Sequence, residues 1–196
     1  LNTTENDNIA VGDRALALNV GSQNTAVGSN ALYTNSGGNY NTAMGYEAMN
    51  TSFNNGDNNS AVGAYALKQN NTGDKNSAVG MYALTSNVSG TENTATGYEA
   101  LYNNSTGNYN TANGTHSALS SNGTGENNTA SGNFALALNS VDSENTATGY
   151  ESLAFNGTGF GNTANGAHAL RSNASGLYNT AMGYNALKAY AGITLK

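Results

Sequence analysis

The chain has 196 residues, a net charge of −6, 9% charged side chains and no Pro, Cys or Trp. Its six basic residues (Arg14, Lys68, Lys75, Arg171, Lys188 and Lys196) are scattered and offer a nucleic-acid backbone no patch. No apolar run approaches the 18 residues of a membrane span, and the lack of cysteine removes disulfide frameworks and thiolate zinc sites.

Residues 1–7 read as an N-terminal extension. The start at Leu1 without Met suggests a mature product or an excised segment. From 8 to 187 one motif, Asn-(Thr/Ser)-Ala-x-Gly-x-x-Ala-Leu, recurs eleven times. Its glycines are Gly12, Gly28, Gly45, Gly63, Gly80, Gly97, Gly114, Gly132, Gly149, Gly166 and Gly183, at steps of 16 to 18 residues. Repetition in such narrow register means a repeat array, in which each unit buries its apolar side against the next. This matters here because 36 Asn and 25 Gly make the chain too polar for an ordinary core.

Each unit predicts the same elements in the same order. A short strand covers Asn-Thr-Ala-x, the conserved-in-repeat Gly makes a corner, a second short strand covers Ala-Leu, and Gly and Asn close a turn. Helix is disfavoured, since each glycine costs a helix about 1 kcal/mol relative to Ala and the apolar positions lack a 3.6 period. The fold expected is all-β: a parallel β-solenoid, or β-roll, of about eleven 17-residue coils, assembled as a homotrimer or fibre. The core ladder expected is Leu16, Leu32, Met49, Leu67, Leu84, Leu101, Leu119, Leu136, Leu153, Leu170 and Leu187, one per coil. An Ala two residues before each Gly implies close approach of the layers. One large side chain per coil is a thin core, so lateral association is expected. The residue before Gly runs Val11, Val27, Met44, Val62, Val79 and then Thr96, Asn113, Ser131, Thr148, Asn165, Met182. That position is either not deeply buried or lines a polar interior ladder.

A slower period of 52 residues, or three coils, begins at 41 and is marked by Gly45-Tyr46-Glu47, Gly97-Tyr98-Glu99 and Gly149-Tyr150-Glu151. Residues 188–196 read as a C-terminal cap or an assembly segment, because an open solenoid end is a bare sheet edge.

The stretches Asn24-Thr-Ala-Val-Gly-Ser-Asn-Ala-Leu32 and Asn179-Thr-Ala-Met-Gly-Tyr-Asn-Ala-Leu187 resemble the repeats of phage tail-fibre and collar-like proteins, and the head repeats of trimeric autotransporter adhesins. The resemblance covers nearly the whole chain. It implies an extracellular trimeric rod with adhesive or receptor-binding duty. The coils of those adhesins are shorter, and they usually carry a larger apolar residue where this chain has Thr or Ser.

Several residue sets invite a chemical reading. Six Asn-x-(Ser/Thr) sequons align in the coil at Asn70, Asn87, Asn104, Asn122, Asn156 and Asn173. They form a candidate row of glycans, or arise because Asn, Ser, Thr and Gly are turn residues. Tyr46, Tyr98, Tyr150 and Tyr184 are candidate contact aromatics for sugar or for a second subunit, beside the plainer reading of packing at a corner. His116 and His168 match in position but lie three coils apart, too far to share a metal. The acidic residues before the Asn-Thr-Ala strand lack a calcium nonapeptide pattern. With two His and no Cys there is no nucleophile–base set, and no cofactor is implied. A Thr rank beginning at Thr25 raises ice binding, though only one Thr per coil recurs.

The function expected is an extracellular structural or adhesive fibre module, tail-fibre-like or adhesin-like, without catalysis, at a cell or virion surface. Its partners are itself and a surface glycan or receptor, with no nucleic acid and no membrane span. The alternatives are a glycosylated filament polymerising end to end and an ice-binding solenoid.

Overall fold

The structure is a computed structural model and describes residues 7–116, 122–139 and 141–188. These residues form a parallel β-solenoid without helix. Eleven three-residue strands make one sheet: Ile9–Val11, Thr25–Val27, Thr42–Met44, Ser60–Val62, Ser77–Val79, Thr94–Thr96, Thr111–Asn113, Thr129–Ser131, Thr146–Thr148, Thr163–Asn165 and Thr180–Met182. The sheet order is the chain order, and every neighbouring pair is parallel and in register. Ala26 therefore lies over Ala43 and Ala61 over Ala78. The coils below are numbered 1 to 11 by these strands, with about ten full turns between the first and the last. At about 4.8 Å per step the rod is roughly 50 Å long.

The Ala-Leu segment is a turn and not the second strand that its pattern predicts. The Leu of each unit has left-handed backbone, with φ of 50° at Leu16, 47° at Leu32 and 50° at Leu84. So does the residue two before it, for instance Asn30, Tyr65 and Phe134. Strands cannot continue through such angles, and the chain reverses inward there. The second extended segment begins two residues after Leu. Among the described residues it is a paired strand only at Leu18–Asn19 and Thr34–Asn35, with isolated bridges joining Asn35 to Asn54 and Leu138 to Phe155.

The core ladder is present: Leu16, Leu32, Met49, Leu67, Leu84, Leu101, Leu136, Leu153 and Leu170 are buried. Leu187, in the last coil, is exposed, and Leu119 lies outside the described residues, as do 1–6 of the N-terminal extension and 189–196 of the C-terminal segment. In most coils two alanines join the Leu, such as Ala78 and Ala83, both fully buried, and Ser152 takes the second place in coil 9. The corner glycine is required by contact as well as by angle. Gly97 has φ of +129°, and a Cβ there would lie 2.1 Å from the carbonyl oxygen of Gly114.

The rest of the interior is polar. One column of buried asparagines opens each Thr-Ala strand: Asn24, Asn41, Asn59, Asn76, Asn93, Asn110, Asn128, Asn145, Asn162 and Asn179. Each except Asn179, the last, accepts at Oδ1 the backbone N–H of the next Asn in the column, at 2.8 Å for Asn41 on Asn24 and 3.0 Å for Asn93 on Asn76. A second column runs through Asn70, Asn87, Asn104 and Asn122. Here Nδ2 donates to the previous Oδ1, at 2.7 Å for Asn87 on Asn70 and 2.9 Å for Asn104 on Asn87. In coils such as 4, 5, 6 and 7 both columns meet on one carbonyl. The Gly107 oxygen accepts from Asn93 at 2.8 Å and from Asn104 at 2.9 Å. A buried amide left unpaired is costly, and these columns spend donors and acceptors on one another along the rod.

Candidate functional site

The outward side of the eleven-stranded sheet is the most regular surface of the rod. In each Thr-Ala-x strand the central Ala points inward and the outer two residues point outward, as a period of two demands. This settles the open reading of the residue before Gly: it faces solvent, and the polar interior ladders are Asn. Two ranks result. The first begins at Ile9 and continues as Thr25, Thr42, Ser60, Ser77, Thr94 and onward to Thr180. The second is apolar in coils 1 to 5 and polar in coils 6 to 10, where it reads Thr96, Asn113, Ser131, Thr148 and Asn165. Neither rank contains a charged residue. Val62, Val79 and Met44 are substantially exposed on it, Val79 at 44%. The sheet thus presents a rigid, uncharged array repeating at about 4.8 Å along the rod, with about 7 Å between ranks.

A second feature runs beside the Gly corner. Tyr46, Tyr65, Tyr82, Tyr98, His116, Phe134, Tyr150, His168 and Tyr184 form one unbroken column of ring contacts. Tyr65 and Tyr82 stack with centroids 5.0 Å apart, and Tyr46 meets Tyr65 edge-on at 5.4 Å. The four candidate tyrosines all belong to this column, but other rings separate Tyr46, Tyr98 and Tyr150 from one another. His116 and His168 are ring members in the same column. Among the described residues no group of three His, Asp or Glu could hold a metal.

The three-coil period sets a carboxylate beside this column at every third coil. Each Glu of a Gly-Tyr-Glu triplet meets a base on a following coil. Glu47 pairs with Lys68 at 2.7 Å, Glu99 lies 3.2 Å from His116, and Glu151 pairs with Arg171 and lies 3.2 Å from His168. Lys68 holds the Glu47 carboxyl below the usual carboxylate range, and Arg171 does the same for Glu151. The hydrogen bonds to these glutamates push the Tyr46, Tyr98 and Tyr150 phenols up.

The row of aligned sequons is corrected by the structure. Asn70, Asn87, Asn104, Asn122, Asn156 and Asn173 are all fully buried. Their amide nitrogens already donate inside the coil, to Gly73 from Asn70 and to Gly176 from Asn173. A glycan on Nδ2 has no route out of that packing. The acidic residues before the strand also have structural work: Asp57 accepts the backbone N–H of Asn39 at 2.7 Å, and Asp74 that of Asp57 at 2.8 Å.

No protein-family model, curated protein or solved structure matches this chain.

Sequence reasoning missed the interior Asn columns. Their signal is the Asn followed three residues later by Gly, the same spacing that produces the aligned sequons. Asp142 marks a departure from it. It replaces the glycine at that place, its carbonyl still accepts from Asn128 at 2.8 Å and Asn139 at 2.9 Å, but its Oδ2 is buried without a hydrogen bond. Burial pushes its carboxyl pKa up.

Proposed function

We propose that this chain is a structural rod that works outside the cell, at a cell or virion surface, by associating with copies of itself as a homotrimer or fibre. It performs no catalysis. The observation that carries this reading is the outward strand face: two uncharged ranks, flat and in register, with exposed Val11, Met44, Val62 and Val79 among them. Such a surface is complementary to itself, because a copy brings to it neither repulsion nor a charge to desolvate. A thin core points the same way, since association adds burial that a single coil lacks. The likeness of the Asn-Thr-Ala-Val-Gly repeats to tail-fibre and adhesin repeats supports the adhesive role, with a glycan or receptor as the target.

Sedimentation equilibrium tests the reading. The native chain is expected to form an assembly larger than a dimer, and the double variant V62K/V79K is expected to lose that assembly and fall to a smaller species with an unchanged circular dichroism spectrum. A native monomer at tens of micromolar would refute self-association.

One observation favours a second reading. Thr94 with Thr96, and Thr146 with Thr148, place two outward hydroxyl–methyl pairs on one strand, so both ranks carry Thr in coils 6 and 9. A regular Thr array of this spacing can order water against an ice plane. Thermal hysteresis in the native protein, lost in T96K/T148K, would establish this role; its absence rules it out.

A further inference from the structure

The second extended segment gives the rod another outward surface. Around each buried Asn of the second column, the residues before and after point out, as Leu18 and Val20 do about Asn19. In coils 2, 4 and 6 those outward residues are polar: Thr34 and Ser36, Gln69 and Asn71, and Asn103 and Ser105. The repeat is its own control, so departures from it are informative. At five levels the outward pair turns apolar and exposed: Leu18 and Val20 in coil 1, Phe53 in coil 3, Val88 in coil 5, Leu138 in coil 8 and Phe155 in coil 9. Phe53 is 67% exposed. None of these coil positions carries a charge in any described coil.

Each exposed ring stands beside a hollow. Phe53 borders a groove of about 340 Å³ shared with Thr51, Gln69, Asn71 and Val88. Phe155 borders a mainly apolar groove of about 330 Å³ with Phe134, Leu138, Ala137 and Ala154, edged by Glu151, and the Arg171 guanidinium lies 4.8 Å over the Phe155 ring. The second groove exists because coils 8 and 9 carry Ala137 and Ala154 where coils 6 and 10 carry Tyr102 and Arg171.

We propose that this surface pairs two copies of the chain side by side, parallel and in register, separately from the strand face. A ring beside a hollow is self-complementary about a two-fold axis, since each copy supplies what the other lacks. The uneven series of levels 1, 3, 5, 8 and 9 selects the register. Every apolar level meets its own counterpart only when the copies are parallel and unshifted; an antiparallel copy matches at most three of the five, and a shift of one coil matches only level 8 with level 9. The size suffices as well. Two outward positions about 7 Å apart, with side chains reaching a few Å beyond each, over nine coils at about 4.8 Å, offer about 600 Å² per copy, the lower end of what a specific dimer buries. Together with the strand face, this contact makes the rod a building block that can bundle.

Engineered cysteines test the pairing cleanly, because the native chain has none. Phe53→Cys and Val88→Cys would each sit near their own counterpart across the axis, within the short Cα separation a disulfide needs. Mild oxidation is expected to link more than half of either variant into dimers on a non-reducing gel. A mixture of Phe53→Cys with a mass-tagged Asn103→Cys is expected to give at least tenfold less of the mixed dimer. The same cross-links are expected when V62K/V79K is added, since that change touches only the strand face. Failure of both variants to self-link overturns the proposal, and so does a 53–103 dimer as abundant as the 53–53 one. Cross-linking that persists when the strand-face variant no longer forms the larger assembly separates this contact from the one proposed above.

Discussion

Asparagine 104 shows how a polar residue can be part of a core. Its amide donates to Asn87 at 2.9 Å and to Gly107 at 2.9 Å, and its oxygen accepts from Asn122 at 2.7 Å. Removing it leaves a buried acceptor and a buried donor unpaired. Asn104→Ala is therefore expected to cost about 2–3 kcal/mol, read from denaturant unfolding. Asn103→Ala, one residue away and exposed, is expected to change stability by less than about 0.5 kcal/mol. The pair of variants separates an interior column from a polar surface. Asp142 predicts the opposite sign. Asp142→Gly restores the repeat and removes a buried oxygen without a partner. The gain exceeds the extra backbone entropy of Gly, and a net stabilisation of about 1 kcal/mol is expected at pH 7. Because burial raises the Asp142 pKa, folding favours its protonated form. The native penalty shrinks as pH falls through that raised value, so the advantage of Asp142→Gly is expected to shrink with it.

Among the elements, the corner and the ion-paired turn are the ones that one coil cannot build alone. Gly97→Ala drives a Cβ into the carbonyl of Gly114 and demands φ near +129° of an alanine. The two coils that meet there are expected to separate, which hydrogen exchange at the Thr94–Thr96 and Thr111–Asn113 strands would report as lost protection. The Glu47–Lys68 and Glu151–Arg171 contacts work between coils. Both carboxyls are held below their ordinary range, so their contribution is complete above the unfolded value of about 4.3 and disappears as pH falls through the folded value. Glu47→Gln is expected to lower stability by about 0.5 kcal/mol at pH 7, as a partly exposed pair would. Melting curves of the variant and the native chain are expected to converge below the folded pKa.

At the scale of the whole molecule, contacts run from coil to coil, and stability should add nearly coil by coil. Deleting 77–93 removes one complete unit and joins Asn76 directly to Thr94. The shortened rod is expected to keep its spectrum and melt cooperatively a few degrees lower. Deleting eight residues from the same place breaks every column at that coil and is expected to cost far more stability than the seventeen-residue deletion, with the melt losing its single cooperative transition. Circular dichroism on the two deletions decides the matter.

Much of this architecture was legible before any coordinates. A glycine every 16 to 18 residues, an Ala two before it and a Leu four after it can stack only if each unit closes a circuit, so the parallel solenoid and its Leu column follow from spacing. Direction was harder to read. Ala-Leu looks like a strand, yet the Leu takes a left-handed angle that no local preference of Leu favours; burial in the column overrides it. Asn-x-(Ser/Thr) looks like a surface sequon, yet the amide lies inside, because two amide columns and one carbonyl satisfy one another only when neighbouring coils are already stacked. The Val-to-Thr change in the outward rank was visible, but which side it faced was not. Sequence by itself determined the period, the register and the apolar column, since these repeat along the chain. Tertiary structure alone decided which polar residues are core and which apolar residues face outward, because those depend on contacts made by residues about seventeen positions apart.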